Sequence, residues 1–83
     1  MHFTVKTATN LSGISVDLEK IGNKYSVVAY ENGNGYRTIE RVESSFRDNA
    51  NALFEIFCER YGTKVEKDVD TSEAYAFIAS QHD

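Results

Sequence analysis

Cysteine, histidine and proline are scarce in this 83-residue chain, which has one cysteine, two histidines and no proline. A single cysteine cannot form an internal disulfide, which excludes a disulfide-stapled secreted scaffold and favours a reducing compartment. No apolar run approaches the roughly 18 residues of a membrane span, and no basic-then-apolar leader opens the chain. The sequence therefore predicts a cytoplasmic protein that has no membrane partner.

Basic side chains are also in deficit, because nine lysines and arginines stand against 13 acidic residues, for a net charge of −4. This balance argues against a domain whose affinity for nucleic acid comes from neutralising phosphates. The deficit is uneven: residues 1–43 hold five acids and five bases, whereas residues 44–83 hold eight acids and four bases. We therefore expect no direct nucleic-acid partner, and a surplus of negative charge in the second half of the chain.

The length of the chain leaves room for one domain, which we expect to span residues 1–83. Ordering a chain costs about 1.5 kcal/mol per residue, and a domain this small buries only about 60–65% of its unfolded surface. Nearly every large apolar side chain is therefore needed for the core, which leaves little for a deep substrate cavity. Size alone favours a protein that acts through its surface.

The first half of the sequence has the pattern of an antiparallel sheet. Apolar and polar residues alternate over residues 14–19, as in a half-buried strand, and residues 25–30 are apolar on both faces, as in a central strand. Residues 32–35 read Asn-Gly-Asn-Gly, which tolerates positive φ and predicts a tight hairpin. The sequence predicts a three- to four-stranded β-meander, with its strands in residues 2–6, 14–19, 25–30 and 36–43.

The second half changes to a helical period. Apolar residues recur three or four positions apart from Phe46 to Tyr61, which predicts one apolar stripe on an amphipathic helix. Ser45 and Asp48 have the spacing of a capping box at its start, and Gly62 stands where a C′ residue belongs. The stripe consists of Phe46, Ala50, Leu53, Phe54, Phe57, Cys58 and Tyr61.

The last twenty residues are less regular. Residues 63–69 fit either a short edge strand or an extended connection. Asp70 and Glu73 form a second capping box, which predicts a short C-terminal helix through Phe77 and Ile78. The fold class that follows is α+β: an antiparallel meander packed on one face by an amphipathic helix, with a short C-terminal helix.

No set of residues typical of catalysis or metal binding can be recognised in the sequence. Cys58, His2 and His82 are the only soft or imidazole side chains, and none has the spacing of a metal site relative to another. Cys58 falls on the predicted apolar stripe, which favours a buried core thiol over a ligand or nucleophile. A triad needs a central histidine, and both histidines lie near the ends of the chain. We expect a protein that is not an enzyme and that has no catalytic residue, metal or cofactor.

Two groups of residues are candidates for binding a partner. Tyr30 and Tyr36 flank the predicted hairpin and Arg37 follows them, and both residue types are enriched at interface hot spots. Each tyrosine could equally well fill the inner face of the sheet instead of binding a partner. The second group is a run of acids that would either meet a basic groove or only keep a small protein soluble. Its members are Glu66, Asp68, Asp70 and Glu73.

In format the chain resembles the small acidic phage proteins that block host defence, the anti-CRISPR inhibitors above all. The shared features are a length below one hundred residues, a short sheet with one or two helices, no catalytic motif and acid-rich surfaces, and no motif is involved. The resemblance implies a non-enzymatic inhibitor that blocks a basic nucleic-acid-binding surface of a CRISPR-Cas effector in the host cytoplasm. The four acids would then supply electrostatic attraction, and Tyr30, Tyr36 and Arg37 would supply desolvated anchors.

Residues 24–61 also loosely resemble the small antitoxins with a partial ribonuclease-H-like fold, in which a strand, a Gly-Tyr hairpin and an amphipathic helix follow in order. This resemblance implies an alternative function, a regulatory module that binds a toxin partner and self-associates through an exposed strand edge. The two hypotheses differ in the expected oligomeric state. The inhibitor would be a monomer or weak homodimer, and the module a firm dimer.

Overall fold

The described part of the chain consists of five strands and one helix. The computed structural model describes residues 2–33, 35–69 and 77. The strand order is β4-β3-β2-β1-β5 and every neighbouring pair is antiparallel. The predicted α+β meander with a helix on one face is therefore confirmed, but the sheet has five strands rather than the predicted three or four because β5 adds to the edge beside β1. The elements are β1 (His2–Thr9), β2 (Ile14–Ile21), β3 (Lys24–Glu31), β4 (Arg37–Ser44), α1 (Arg47–Tyr61) and β5 (Lys64–Asp68).

The two central strands, β2 and β3, fix the register of the meander. Gly22, at φ 62°, opens the two-residue turn between them, a position where glycine avoids the strain of a left-handed conformation. From this turn the pairing runs without a bulge to the far end, so that Leu18 lies opposite Val27 and Val16 opposite Ala29. All four side chains are fully buried, which places them in the core beneath α1.

The hydrophobic core lies between α1 and one face of the sheet. The helix contributes Ala50, Phe54 and Phe57, which recur at steps of four and three and are all buried. This agrees with the predicted stripe, since only one side of the helix can face the sheet. The buried side chains of the core are Val5, Ala8, Val16, Leu18, Tyr25, Val27, Ala29, Ala50, Phe54 and Phe57.

The start of α1 differs from the prediction. The N-cap residue is Phe46, with an extended backbone and no side-chain cap, so the predicted capping box of Ser45 and Asp48 is wrong. The side chain of Phe46 is 67% exposed and does not belong to the buried stripe. The reason is that β4 continues to Ser44, whose hydroxyl accepts a hydrogen bond from the Phe46 N–H at 3.1 Å and thereby turns the chain.

The end of α1 follows the prediction. Gly62 adopts the left-handed conformation at φ 62° and ψ 39°, which is the C′ geometry that glycine favours. The Thr63 N–H donates to the carbonyl of Cys58 at 3.0 Å, and this bond satisfies one of the last carbonyls of the helix. The chain then enters β5 as an edge strand beside β1, which decides between the two interpretations of residues 63–69.

The helix connects opposite corners of the sheet. It leaves the end of β4 at one edge and enters β5 at the other edge, where Lys64 lies opposite Thr9. Four strand spacings amount to about 19 Å, and 15 helical residues to about 22 Å, so the helix is long enough to cross the sheet. Within the described residues, no helix is long and apolar enough to cross a membrane. Apart from Phe77, the predicted C-terminal helix lies outside the described residues.

Candidate binding surface

The β3–β4 hairpin brings together Tyr30, Tyr36 and Arg37, the three residues that the sequence predicts as anchors for a partner. Tyr30 lies near the end of β3, and its ring stacks on Tyr36 with the centroids 4.5 Å apart and the planes at 26°. Arg37, the first residue of β4, lies opposite Glu31 and donates to its carboxylate at 2.9 Å. Tyr36 remains 64% exposed, so the hairpin presents one aromatic ring to solvent on top of another.

The lower ring of this stack is held in place by its hydroxyl. Tyr30 Oη donates to Asp17 Oδ2 on β2 at 3.1 Å. Burial, with a contribution from the negative charge of Asp17, raises the pKa of Tyr30 to about 12. The phenol therefore stays protonated and remains a donor throughout the physiological range. Tyr36 thus rests on a ring whose orientation is fixed before any partner arrives.

Asp17 occupies an unfavourable place for a charge. Burial raises its pKa above the usual value, Glu19 adds repulsion, and hydrogen bonds from Thr7 and Tyr30 together with the charge of Lys67 offset only part of this. Its second oxygen, Oδ1, is buried without a hydrogen-bond donor in good geometry. An ionised Asp17 therefore costs the folded state free energy that a neutral side chain of the same shape would not.

We expect Asp17→Asn to raise the free energy of unfolding at pH 7 by up to about 1 kcal/mol, the scale of one hydrogen bond. A carboxyl whose pKa is raised on folding contributes stability below its unfolded pKa, and this contribution is lost as the pH rises through the folded pKa. The gain from asparagine should therefore appear at pH 7 and vanish below 3.8, the ordinary pKa of an aspartate in the unfolded chain. Urea denaturation at both pH values measures it.

Glu55→Gln, which neutralises an exposed carboxylate on α1, is the matched control for Asp17→Asn and should change stability little at either pH. A loss of more than about 1 kcal/mol in Asp17→Asn at pH 7 would contradict the expectation. Such a loss would mean that the interactions of the Asp17 charge with Tyr30 and Lys67 stabilise the fold by more than the burial of that charge costs.

The face of the sheet opposite α1, called here the open face, carries further polar contacts. Arg41 Nη1 on β4 donates to Ser26 Oγ at 2.7 Å and lies 3.4 Å from Glu19 Oε1. The other oxygen of Glu19 lies 2.9 Å from His2 Nε2. These contacts link four strands across the open face and leave Ser26 only 1% exposed. This face is therefore a closed polar network rather than a row of free side chains.

The β1–β2 turn lies at the same end of the sheet as the β3–β4 hairpin, since the Asn32 N–H donates to the Gly13 carbonyl at 2.8 Å. Asn10 shapes this turn by accepting bonds from two backbone N–H groups at 2.9 and 3.0 Å and donating to the Tyr61 carbonyl at 2.7 Å. Leu11 projects from the turn and is fully exposed. Sequence reasoning missed Leu11, although an apolar residue inside the turn sequence Asn-Leu-Ser-Gly is itself a signal.

A cleft of about 710 Å³ separates this turn from the end of α1. It is open to solvent, and its wall combines apolar surface from Leu11 and Tyr61 with one charge of each sign. Together with the tyrosine stack, it gives this end of the sheet an accessible surface of mixed apolar and polar character. The lining residues are Thr9, Asn10, Leu11, Ser12, Tyr61, Gly62, Lys64 and Glu66.

The predicted acidic group is not brought together in the described residues. Glu66 accepts a hydrogen bond from Thr9 Oγ1 at 2.6 Å. Asp68 lies opposite Lys6, whose ammonium stands 5.6 Å from the Phe54 ring on the α1 side. Directly opposite residues share a face, so a bulge in β5 sends the two acids to different faces of the sheet. Asp70 and Glu73 lie outside the described residues.

The charge of the described part is nearly balanced. Of the 13 acids in the chain, Asp70, Glu73 and Asp83 fall in residues 70–83, which hold no lysine or arginine. The described part therefore carries ten acids against all nine bases, and the acid surplus belongs mainly to the last 14 residues. The stack and Glu66 also stand apart, since β3 and β5 are three strand spacings, about 14 Å, from each other.

The one cysteine lies at the edge of the core. Cys58 is half-buried on α1, and burial raises the pKa of its thiol, so the thiolate is disfavoured. Among the described residues, no three histidine, cysteine, aspartate or glutamate side chains come together as a metal ion would require.

Comparison with known proteins gives no family for this chain, since no protein-family model, curated protein or solved structure matches it.

Proposed function

We propose that this chain is a non-enzymatic binding protein that acts by occupying a surface of a larger protein. The observation that supports this proposal most directly is the exposed Tyr36 ring on the fixed Tyr30 ring. An aromatic side chain that is already positioned loses little conformational entropy when a partner covers it, so more of the burial energy remains as affinity. Tyrosine also keeps a hydroxyl for the polar rim of an interface.

The partner surface that fits this end of the sheet is an apolar pocket with a polar rim. The pocket would take the Tyr36 ring, while Arg37, with five N–H donors on its guanidinium, would reach carboxylates or carbonyls beside it. Leu11 and the neighbouring cleft extend the contact along the same end of the sheet. Such a surface buries one central aromatic residue and leaves the charged residues around it hydrated, which is the usual anatomy of an interface.

Electrostatic attraction forms a second part of the proposal. The mode of action is that of the phage inhibitors that the chain resembles in format, and the partner that this resemblance implies is a CRISPR-Cas effector with a basic groove. Glu66 and Asp68, followed by Asp70 and Glu73, would approach that groove and speed the encounter. Because the acid surplus lies mainly in residues 70–83, these residues would supply the long-range attraction and the hairpin the close contact.

We expect Tyr36→Ala to weaken partner binding by about tenfold or more, because a central aromatic side chain contributes on the order of 1–2 kcal/mol. The partner is first captured from an extract of the organism or its host and identified by mass spectrometry. The purified pair is then titrated by calorimetry. Phe46→Ala is the matched control, since Phe46 is equally exposed but lies at the opposite end of the sheet, where β4 ends.

Equal affinity of Tyr36→Ala and the wild-type chain for the identified partner would overturn the proposed anchor. The same titration at low and high salt separates the two parts of the proposal. Attraction to a basic groove makes the association rate fall as salt rises, whereas the apolar contact of Tyr36 is insensitive to salt. A salt-independent association rate would mean that the acids are not part of the binding site. It would not contradict the role of Tyr36 as the anchor.

A further inference from the structure

Strand β4 is an edge of the sheet with an unusual composition. In the strand order of the described residues it has a neighbour on one side only, β3. Edge strands are usually kept short or heavily charged so that they do not pair with another chain. The other edge strand, β5, follows this rule with five residues, four of them charged, and a bulge. β4 follows the rule less closely: it also has four charged residues and a bulge, but it is eight residues long and keeps Ile39 and Val42 each 38% exposed.

A groove with an apolar wall from α1 and polar residues Glu43, Ser44 and Asn49 at its rim follows the same edge on the α1 side. It has a volume of about 400 Å³ and lies between the end of β4 and the outer side of the helix. Leu53 and Ala52 form part of its wall, and Ile56 is 49% exposed above it. Val42 faces the same side of the sheet, since it lies opposite the core residue Val27. Backbone groups of β4 that no described strand pairs and exposed apolar side chains therefore meet along one line.

We propose that β4 pairs antiparallel with β4 of a second copy of this chain, about a two-fold axis at Val42. An axis perpendicular to the sheet keeps α1 of both copies on the same side. Because the axis passes at Val42, residue 42 + n of one copy lies opposite residue 42 − n of the other. Val42 then faces Val42 of the second copy. Arg41 faces Glu43 of the second copy, and the symmetry makes this ion pair twice.

Other registers of the same pairing are less favourable. An axis at Glu40 sets two carboxylates opposite each other, and an axis at Arg41 sets two guanidinium groups opposite each other; like charges in this position are destabilising. An axis at Ile39 brings Arg37 opposite Arg41 of the second copy. The register at Val42 avoids all three clashes and pairs opposite charges, which is why the proposal commits to it.

The geometry of β4 limits the pairing to residues 40–44. The β3–β4 register shifts between Ala29 and Tyr30, which makes Ile39 the extra residue of a bulge and bends the strand there. Five residues remain straight, with Val42 at their centre. Arg41 Nη1 contacts Ser26 and Glu19 on the inner side of β4, so the ion pair requires the guanidinium to turn Nη2 towards Glu43 of the second copy. On the α1 side, Val42 and the grooves of both copies become neighbours and shield each other from water.

Sedimentation equilibrium of the full chain from micromolar to millimolar concentration tests the proposal. We expect a reversible monomer–dimer equilibrium, and an association constant that falls about tenfold or more in Glu43→Lys, because two attractive pairs become two repulsive ones. Glu55→Lys is the matched control: it makes the same change in net charge at an exposed helix position and should alter the constant less than about twofold.

Cysteine cross-linking tests the register itself. Val42→Cys in a Cys58→Ala background should form a disulfide-linked dimer on mild oxidation, since opposite residues of an antiparallel pair lie about 4.5–5.5 Å apart at Cα, within disulfide range. Thr38→Cys in the same background should not form one.

A chain that stays monomeric at millimolar concentration overturns the proposal, whether residues 70–83 or a different protein covers the groove. A dimer that ignores Glu43→Lys and does not cross-link through position 42 overturns it as well. Tyr36→Ala should leave the dimer unchanged, so this test is independent of the proposed partner site.

Discussion

Phe54→Ala should lower the free energy of unfolding by about 4 kcal/mol, the largest effect of a single truncation that we expect in this chain. Phe54 is 2% exposed, and its ring packs in the centre of the core beneath the ammonium of Lys6. Removing it leaves a cavity between α1 and the sheet that a short helix cannot fill by shifting. A domain of this size has a total stability of about 4–12 kcal/mol, so this single substitution would remove at least about a third of it.

The matched control for Phe54→Ala is Ile56→Ala, two positions further along the same helix. Ile56 is 49% exposed on the outer side of α1, so its truncation should cost less than about 1 kcal/mol. Urea denaturation followed by circular dichroism compares the two at a concentration low enough to keep the chain monomeric. If Ile56→Ala proved the more damaging variant, the helix would be rotated relative to the arrangement described here.

The orientation of α1 could be predicted from the sequence because a single helix on a single sheet has only one way to bury its apolar side. Ala50, Phe54 and Phe57 recur at the helical period, and their burial follows directly. The start of the helix could not be predicted in the same way. Ser45 has the sequence spacing of a cap, but the cap position depends on where β4 ends, and β4 ends through the pairing of Ser44 with Tyr25 on β3.

The burial of the open face was only partly predictable from the sequence. Ser15 alternates with the apolar residues of β2, so the period-2 pattern predicts that it faces solvent, yet it is only 1% exposed, as is Ser26 in the strand predicted to be apolar on both faces. They are buried because Asn32 and Arg41, distant in sequence, donate hydrogen bonds to their hydroxyls at 2.6 and 2.7 Å. Contacts between strands of this kind depend on register, which local sequence does not encode.

The acids illustrate the same limit for the candidate site. Glu66 and Asp68 are two positions apart, which in a regular strand would give them one face. The bulge in β5 separates them, and a bulge leaves no recognisable pattern in a five-residue sequence. By contrast, Tyr30, Tyr36 and Arg37 were predictable as neighbours, because a hairpin brings the ends of two consecutive strands together whatever the details of its turn.

Val28→Ala should lower the free energy of unfolding by about 2 kcal/mol, from two lost methyl groups and the cavity they leave. A residue on the face opposite α1 would ordinarily cost little, but Val28 is 1% exposed. Its neighbours on the adjoining strands are Asp17 and Arg41, and both are held by hydrogen bonds, to Tyr30 and Ser26 respectively. They cannot easily move into the space that alanine leaves.

Val65→Ala, on the edge strand β5 and 52% exposed, is the control and should change stability by less than about 0.5 kcal/mol. Equal effects in the two variants would mean that the polar network lies loosely over the open face, and that Tyr30 is not the fixed support for Tyr36 on which the proposed anchor depends.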